Sequence, residues 1–362
     1  ALGMKGLEKR KVSEKVNVQY PKALVTKNAV RFLDEKGKIK NTMLLKPESA
    51  IELSTNRKYI GVSATFFTAD ERGDVGNDEF CFVNNEGKTL WELKEEYPVE
   101  LVGEREWSRW GHFCVSNKGR VVDVVVDDDG GIDFYNVDGK IIKQATYTDY
   151  VDTFASCMGK FSDNGEYFVL IGDNGPLWDK TFLVLYDKDG NELWKVIEEY
   201  PGWSYGQCNI SKEGNYIIGA KTNTNWTNWI NMFSKKGKLL WEYNAVQAGN
   251  FISLFSQDEK FILIGSAPNK LFLFKSNDGK LLWEFTDETL KIGFISINIS
   301  SDNKYILAIA EEGKIYLLDM RGNLLWQKQY EKGAVANFTS DGKEVNIMTD
   351  NKLCRYAIQE GR

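Results

Sequence analysis

The stretch Lys235-Lys236-Gly237-Lys238-Leu239-Leu240-Trp241 decides the fold, because it keeps returning. It stands again as Asn85-Glu86-Gly87-Lys88-Thr89-Leu90-Trp91 and Lys188-Asp189-Gly190-Asn191-Glu192-Leu193-Trp194. Two later copies are Asn277-Asp278-Gly279-Lys280-Leu281-Leu282-Trp283 and Met320-Arg321-Gly322-Asn323-Leu324-Leu325-Trp326. Degenerate copies centre on Gly37 and Gly139, where Asn41 and Lys143 stand in the tryptophan place. The seven glycines step by 50, 52, 51, 47, 42 and 43 residues, and self-similarity at such a period marks a repeat architecture.

A second unit interleaves with the first. Ser or Thr is followed by Asp, Asn or Gly and then an apolar run, as in Ser162-Asp163-Asn164-Gly165-Glu166-Tyr167 and Ser300-Ser301-Asp302-Asn303-Lys304-Tyr305. Related copies begin at Ser54, Ser116, Ser211, Ser256 and Thr339. Residues that tolerate positive φ, flanked by runs of period two, read as tight hairpins. Each repeat is then four short strands: A, the Ser/Asp turn, B, a variable loop, C, the Gly-Lys turn, and D ending on the tryptophan. No segment carries the 3.6 period of a helix. Four-stranded antiparallel meanders at this spacing predict an all-β protein, a β-propeller.

Eight C strands are legible, counting Ala29–Asp34 and Leu353–Ile358, against seven clear A–B hairpins. Eight blades are therefore favoured, with seven as the alternative. Residues 28–362 form the propeller, and residues 1–27 are expected to supply the missing, ring-closing strands. The terminal segments should pair in or beside one blade, since an open edge leaves unsatisfied backbone groups.

Composition narrows the function. The chain has 362 residues with a net charge of −6, which argues against a nucleic-acid binder held by counterion release. No apolar window is long enough for a membrane span. One histidine in the chain argues against a multi-histidine metal centre, so no metal ligands are assigned. The five cysteines, 81, 114, 157, 208 and 354, include no Cys-x-x-Cys pair and lie mostly in apolar runs, as buried thiols do. The chain starts at Ala1 with no charged-then-apolar leader, which fits a mature exported protein, a trimmed chain or loss of the initiator. The compartment stays open, an extracytoplasmic one (periplasmic or secreted) being favoured. Nothing in the pattern fixes an oligomeric state.

Gly-Lys-x-Leu-Trp closing the outermost strand resembles the tryptophan-docking repeat of the PQQ-like, quinoprotein-type propellers, which are related in shape to WD40 proteins. The resemblance covers about residues 28–362 and implies that Trp91, Trp194, Trp241, Trp283 and Trp326 pack between neighbouring blades. Similar repeats occur in quinoprotein dehydrogenases and in outer-membrane assembly scaffolds, so the resemblance alone selects no function. A quinone-dependent enzyme would need a calcium-linked acidic site and ring-sandwiching residues. These have no counterparts residue by residue, and no cofactor is expected.

In a four-stranded meander the A–B and C–D turns share one face, while the B–C and D–A connections share the other. The second face carries the irregular sequence, where binding residues concentrate. Trp107, Arg109 and Trp110 fall in one D–A connection, Trp203 and Tyr205 in another, and Trp178 and Trp226 in B–C loops. Aromatic faces interleaved with Asn, Asp and Arg suit sugar stacking or the anchoring of a peptide, and these residues are the candidate ligand-binding set. The competing reading is that the rings only fasten long loops to the blades. The acidic stretch Asp70–Glu79 reads as a long B–C insertion, but its spacing departs from an ordered calcium loop, and solvated charge explains it better. No catalytic constellation is present: Gly-x-Ser-x-Gly, a Cys/His pair and a phosphate-cradling loop are all missing.

The expectation is a non-enzymatic scaffold that presents an aromatic-rich loop face to a protein or polysaccharide partner. The alternative is an enzyme or cofactor binder at the mouth of the central channel, with His112, Arg109 and nearby carboxylates as its candidates.

Overall fold

Hairpin after hairpin follows from the turn chemistry, and the structure, a computed structural model, contains strands and turns with no helix among the described residues. It describes residues 7–9, 23–26, 29–33, 39–46, 49–56, 58–70, 73–98, 110–125, 131–146, 156–173, 180–199, 203–223, 228–245, 251–266, 269–339, 341–349 and 352–358. The C–D turns show why Gly recurs. Gly87, Gly139, Gly190 and Gly322 have φ of 78, 78, 82 and 86°, a region that costs any residue with a Cβ. The residue three places before each glycine closes the turn with its side chain. Asp187 Oδ1 accepts the amides of Asp189 and Asn191, both at 2.9 Å, and Asp319 does the same for Arg321 and Asn323. A bulge follows each such turn: Leu185 pairs with Trp194 and Tyr186 with Glu192, so Leu193 is the extra residue.

The A–B turns use serine instead. Ser54, Ser116, Ser162, Ser211, Ser256 and Ser300 are all buried. Ser300 Oγ donates to Asp302 Oδ1 (2.7 Å) and accepts the amides of Lys304 (3.1 Å) and Tyr305 (2.9 Å). Ser300→Ala should therefore lower stability by roughly 2 kcal/mol, because buried donors lose their acceptor. A shift of the urea midpoint checks this, and an unchanged midpoint would return the serine to sequence drift.

The strands group into eight sheets among the described residues, seven of four strands and one of three. Sheet 1 is Ala23–Thr26, Ala29–Leu33 and Ile39–Leu44; sheet 2 is Ala50–Leu53, Tyr59–Asp70, Gly73–Asn84 and Thr89–Pro98. Sheet 3 is Trp110–Val115, Val121–Val125, Gly131–Tyr135 and Ile141–Thr146; sheet 4 is Ser156–Phe161, Tyr167–Asp173, Lys180–Asp187 and Glu192–Glu199. Sheet 5 is Trp203–Ile210, Tyr216–Asn223, Asn228–Ser234 and Leu239–Ala245; sheet 6 is Phe251–Phe255, Phe261–Ser266, Lys270–Lys275 and Leu281–Thr286. Sheet 7 is Phe294–Ile299, Tyr305–Ala310, Lys314–Asp319 and Leu324–Gln329. Sheet 8 is Val335–Phe338, Glu344–Thr349 and Lys352–Ile358, and its outermost strand is Leu7–Lys9. There Leu7 pairs with Ile358 and Lys9 with Tyr356, so the two ends of the chain meet in one sheet. Ala23–Thr26 pairs with Ala29–Phe32 and acts as the B strand of sheet 1.

The B and C strands read as continuous apolar runs because both of their faces are covered. Phe168–Ile171 and Phe182–Tyr186 are buried residue after residue. The outer strand Glu192–Glu199 instead alternates between exposed and half-buried positions, as an edge must. One expectation is corrected here. Residues 73–79 of the predicted acidic insertion lie in a strand, with Asp70 paired to Gly73 across the hairpin and Asp78 fully buried. Buried Asp78, Phe80 and Phe82 alternate with half-buried Asn77, Glu79 and Cys81, a period of two that the charges hid.

Two compact units divide the chain, Asn17–Gly214 on one side and Asn215–Arg362 with Ala1–Val16 on the other. Within each unit the repeat tryptophans dock on the following repeat. Trp241 Nε1 donates to Ser276 O (2.8 Å) and Trp283 Nε1 to Met320 O (3.0 Å), each ring lying against the next turn glycine, Gly279 and Gly322. In the first unit Trp91 lies against Gly139 and stacks on Tyr135 at 5.4 Å between centroids. Where the tryptophan is missing the joint persists in weaker form. Asn41 Nδ2 donates to Gly87 O (3.1 Å), and the stem of Lys143 covers Gly190.

Candidate functional site

Three residues of the binding set predicted from sequence, Trp110, Trp203 and Tyr205, lie in described strands. Trp107, Arg109, Trp178 and Trp226 lie outside the described residues. Trp110 opens the A strand of sheet 3, opposite Val125, and His112 follows it opposite Val124. Trp203 and Tyr205 lie within the A strand of sheet 5, in the segment read from sequence as a D–A connection. For these four residues the backbone is described and the side chains are not. The A strands of sheets 2, 3, 4 and 5 lie side by side within the first unit, so the strands bearing Trp110 and Trp203 flank the A strand of sheet 4.

Those inner strands carry a cluster that the sequence reading passed over: Glu52, Cys114, Lys160 and Cys208, one from each of four successive sheets. Cys114 Sγ donates to Gly159 O at 3.1 Å, and Cys208 Sγ to Met158 O at 3.6 Å. Burial raises the Cys114 thiol well above its ordinary value, with Glu52, Cys208 and Asp123 adding to the effect. Burial likewise pushes Cys208 up to about 12, against the opposing pull of Lys160. Glu52 is raised by burial and lowered by Lys160. A thiol is a nucleophile or a metal ligand as its thiolate, so both cysteines are unreactive at neutral pH. Among the described residues no group of three or more His, Cys, Asp or Glu side chains is arranged to hold a metal ion.

The loop face of the second unit is described in full around sheet 7, and it is locked. Asp287, in the connection between sheets 6 and 7, accepts from Lys314 Nζ (2.6 Å), Tyr316 Oη (2.8 Å), Thr289 Oγ1 (2.6 Å) and the Thr289 amide (2.9 Å). Burial pushes this carboxyl up, yet the four hydrogen bonds outweigh it and hold the group well below the usual range. Glu312 Oε1 caps the amides of Lys291 (3.0 Å) and Ile292 (3.2 Å), and Gln329 Nε2 donates to Glu312 O (2.6 Å) and Tyr330 O (2.8 Å). These bonds hold the loops together, while Glu312 Oε2 is buried with no hydrogen-bond partner.

Residues 273–362 match the family model described as outer membrane protein assembly factor BamB. No curated protein matches the sequence. Among solved structures, the BamB protein from Moraxella catarrhalis is similar at a TM-score of 0.58 and 11% identity, over 98% of this chain and 100% of that one. The Dos1 propeller is similar at a TM-score of 0.59 and 10% identity, over 85% of this chain and 90% of that one. The computationally designed protein Ika8 is similar at a TM-score of 0.60 and 13% identity, over 99% of this chain and 97% of that one. The repeats are PQQ-like and the fold is a β-propeller.

Proposed function

We propose that this β-propeller of PQQ-like repeats is a non-enzymatic scaffold that holds a protein partner on its loop face, in an extracytoplasmic compartment. The observation that carries this reading is the match of residues 273–362 to a family whose description is that of an assembly factor. It is supported by the locked loops of sheet 7, which belong to the same segment, and by the buried thiols of the inner strands, which burial holds protonated. On this reading Trp107, Arg109, Trp110, Trp178, Trp203, Tyr205 and Trp226 form the contact surface in the more irregular half of the face. Indole rings there supply rigid contact area at low entropic cost.

The test is a tryptophan-fluorescence titration of the protein against a panel of extended peptides and a panel of oligosaccharides. A Trp110→Ala/Trp203→Ala variant serves as the control. The expected result is saturable quenching by peptides, weakened about tenfold in the variant while its circular dichroism is unchanged. Saturation by oligosaccharides alone would move the partner to polysaccharide. No response from either panel would leave the rings as loop packing and remove this reading.

A further inference from the structure

In four of the seven A–B turns the strand-opening residue paired to the serine is a tyrosine, namely Tyr59, Tyr167, Tyr216 or Tyr305, and in a fifth it is Phe261. Tyr59 lies against Gly119 of the next A–B turn, and Tyr167 against Gly214, so this ring fills the gap between successive turns. Sheet 8 has Glu344 in that place, and sheet 3 breaks the rule in length. Its turn is one residue shorter, with the Ser116 amide donating to Arg120 O (2.9 Å) where Ser162 reaches Tyr167 O (2.9 Å). Arg120 therefore stands in the aromatic place. The Lys118 stem lies against Gly165 in place of a ring, and beside it a notch of about 380 Å³ stays open on the turn face of the first unit, lined by Lys118, Arg120, Asn136, Val137, Gly165 and Lys188.

Charge is unbalanced in this notch. Glu166 takes both Lys118 and Lys188 (3.1 Å to the latter), and Asp189 takes Arg120 Nη2 (3.0 Å). Three cations thus meet two carboxylates in a protein whose net charge is −6. The Arg120 side chain is 25% exposed, and this single bond occupies one of the five N–H groups of a guanidinium. Its other donors have no protein acceptor among the described residues. A planar fork with spare donors, set in a recess, is the geometry that recognises a carboxylate in bidentate fashion. The Val137 methyls and the Asn136 side chain beside it offer an apolar wall and an amide, which suit a side-chain stem and a peptide backbone better than a bare ion.

We propose that the notch between the turns of sheets 3 and 4 is a binding site for an acidic side chain of a peptide segment, with Arg120 as its anchor and Lys188 at its rim. The site lies on the turn face and does not depend on the loop-face reading.

The probe is acetyl-Asp-Glu-Asp-amide, followed by calorimetric titration at low and at moderate salt, with inorganic phosphate as the second arm. Arg120→Tyr restores the aromatic of the other repeats and fills the notch, and Lys188→Gln removes a rim charge that is paired to Glu166, without touching the core. The expected result is saturable, salt-weakened binding of the peptide by the wild type, reduced roughly ten- to hundredfold in Arg120→Tyr and several-fold in Lys188→Gln. Thermal melts confirm that each variant is folded; should Arg120→Tyr melt early, Lys188→Gln alone decides. Binding of phosphate as tight as that of the peptide would overturn the peptide assignment. Peptide binding that is absent, or unchanged in the folded variants, would overturn the site.

Discussion

Replacing Trp283 by alanine should destabilise the protein by roughly 3–5 kcal/mol, the cost of deleting a large ring from a close-packed contact and leaving a cavity. The ring packs against the second unit's core beside the Gly322 turn, and its Nε1 donates to the carbonyl of Met320. Both contributions are lost together, and Met320 O must then find water. A drop of several degrees in the melting temperature is the expected reading. A shift within error would mean that the indole is a surface decoration and that the repeat has been misread.

The second large effect concerns Asp287. Its side chain is 12% exposed, and removing it leaves the Tyr316 hydroxyl without its acceptor and Lys314, at 19% exposure, with only Thr289 Oγ1 at 3.3 Å. Breaking a buried ion pair from one side is strongly destabilising, so Asp287→Ala should cost about 3 kcal/mol at neutral pH. The effect carries a pH signature. The folded-state carboxyl titrates well below the unfolded one, which lies near 3.9. Its stabilisation is therefore fully present above that unfolded value and is lost as pH falls through the folded one. Wild type and variant should differ most from about pH 5 upwards and converge on strong acidification, measured by urea unfolding across the series. A gap that widens on acidification would contradict the network.

The fold was legible because its turns are chemically narrow. Gly at positive φ, Asp or Asn closing the turn and a serine buried under the next strand leave few alternatives, so seven glycine positions sufficed to count the repeats. Asn41 and Lys143 were legible as tryptophan stand-ins for the same reason, and each covers the glycine it should. Charge hid what pairing revealed. Residues 73–79 are rich enough in acids to read as a loop, yet a strand covered by neighbours on both sides accommodates them, burying Asp78. The Asp287 network was not legible, since Lys314 and Tyr316 stand 27 and 29 residues away and meet it only once sheets 6 and 7 are stacked. The notch at Arg120 was written in the sequence as a turn one residue short, but only pairing shows which residue takes the aromatic place. Of the binding set, Trp110, Trp203 and Tyr205 lie in A strands where the sequence was read as D–A connections, and the other four lie outside the described residues.

The joint between a tryptophan and the next repeat's glycine turn is the claim on which both faces depend. A double-mutant cycle of Trp283→Ala and Gly322→Ala tests it most directly. Gly322 has φ of 86°, and a methyl there would stand 2.8 Å from Trp283 Cδ2, so the single Gly322→Ala change suffers both backbone strain and a clash. Backbone strain alone costs roughly 1–2 kcal/mol. With the ring gone the clash disappears and only the strain remains. The double variant should then be more stable than the sum of the singles by about 1 kcal/mol or more, the range seen for residues in contact. Strict additivity of the two changes would contradict the joint.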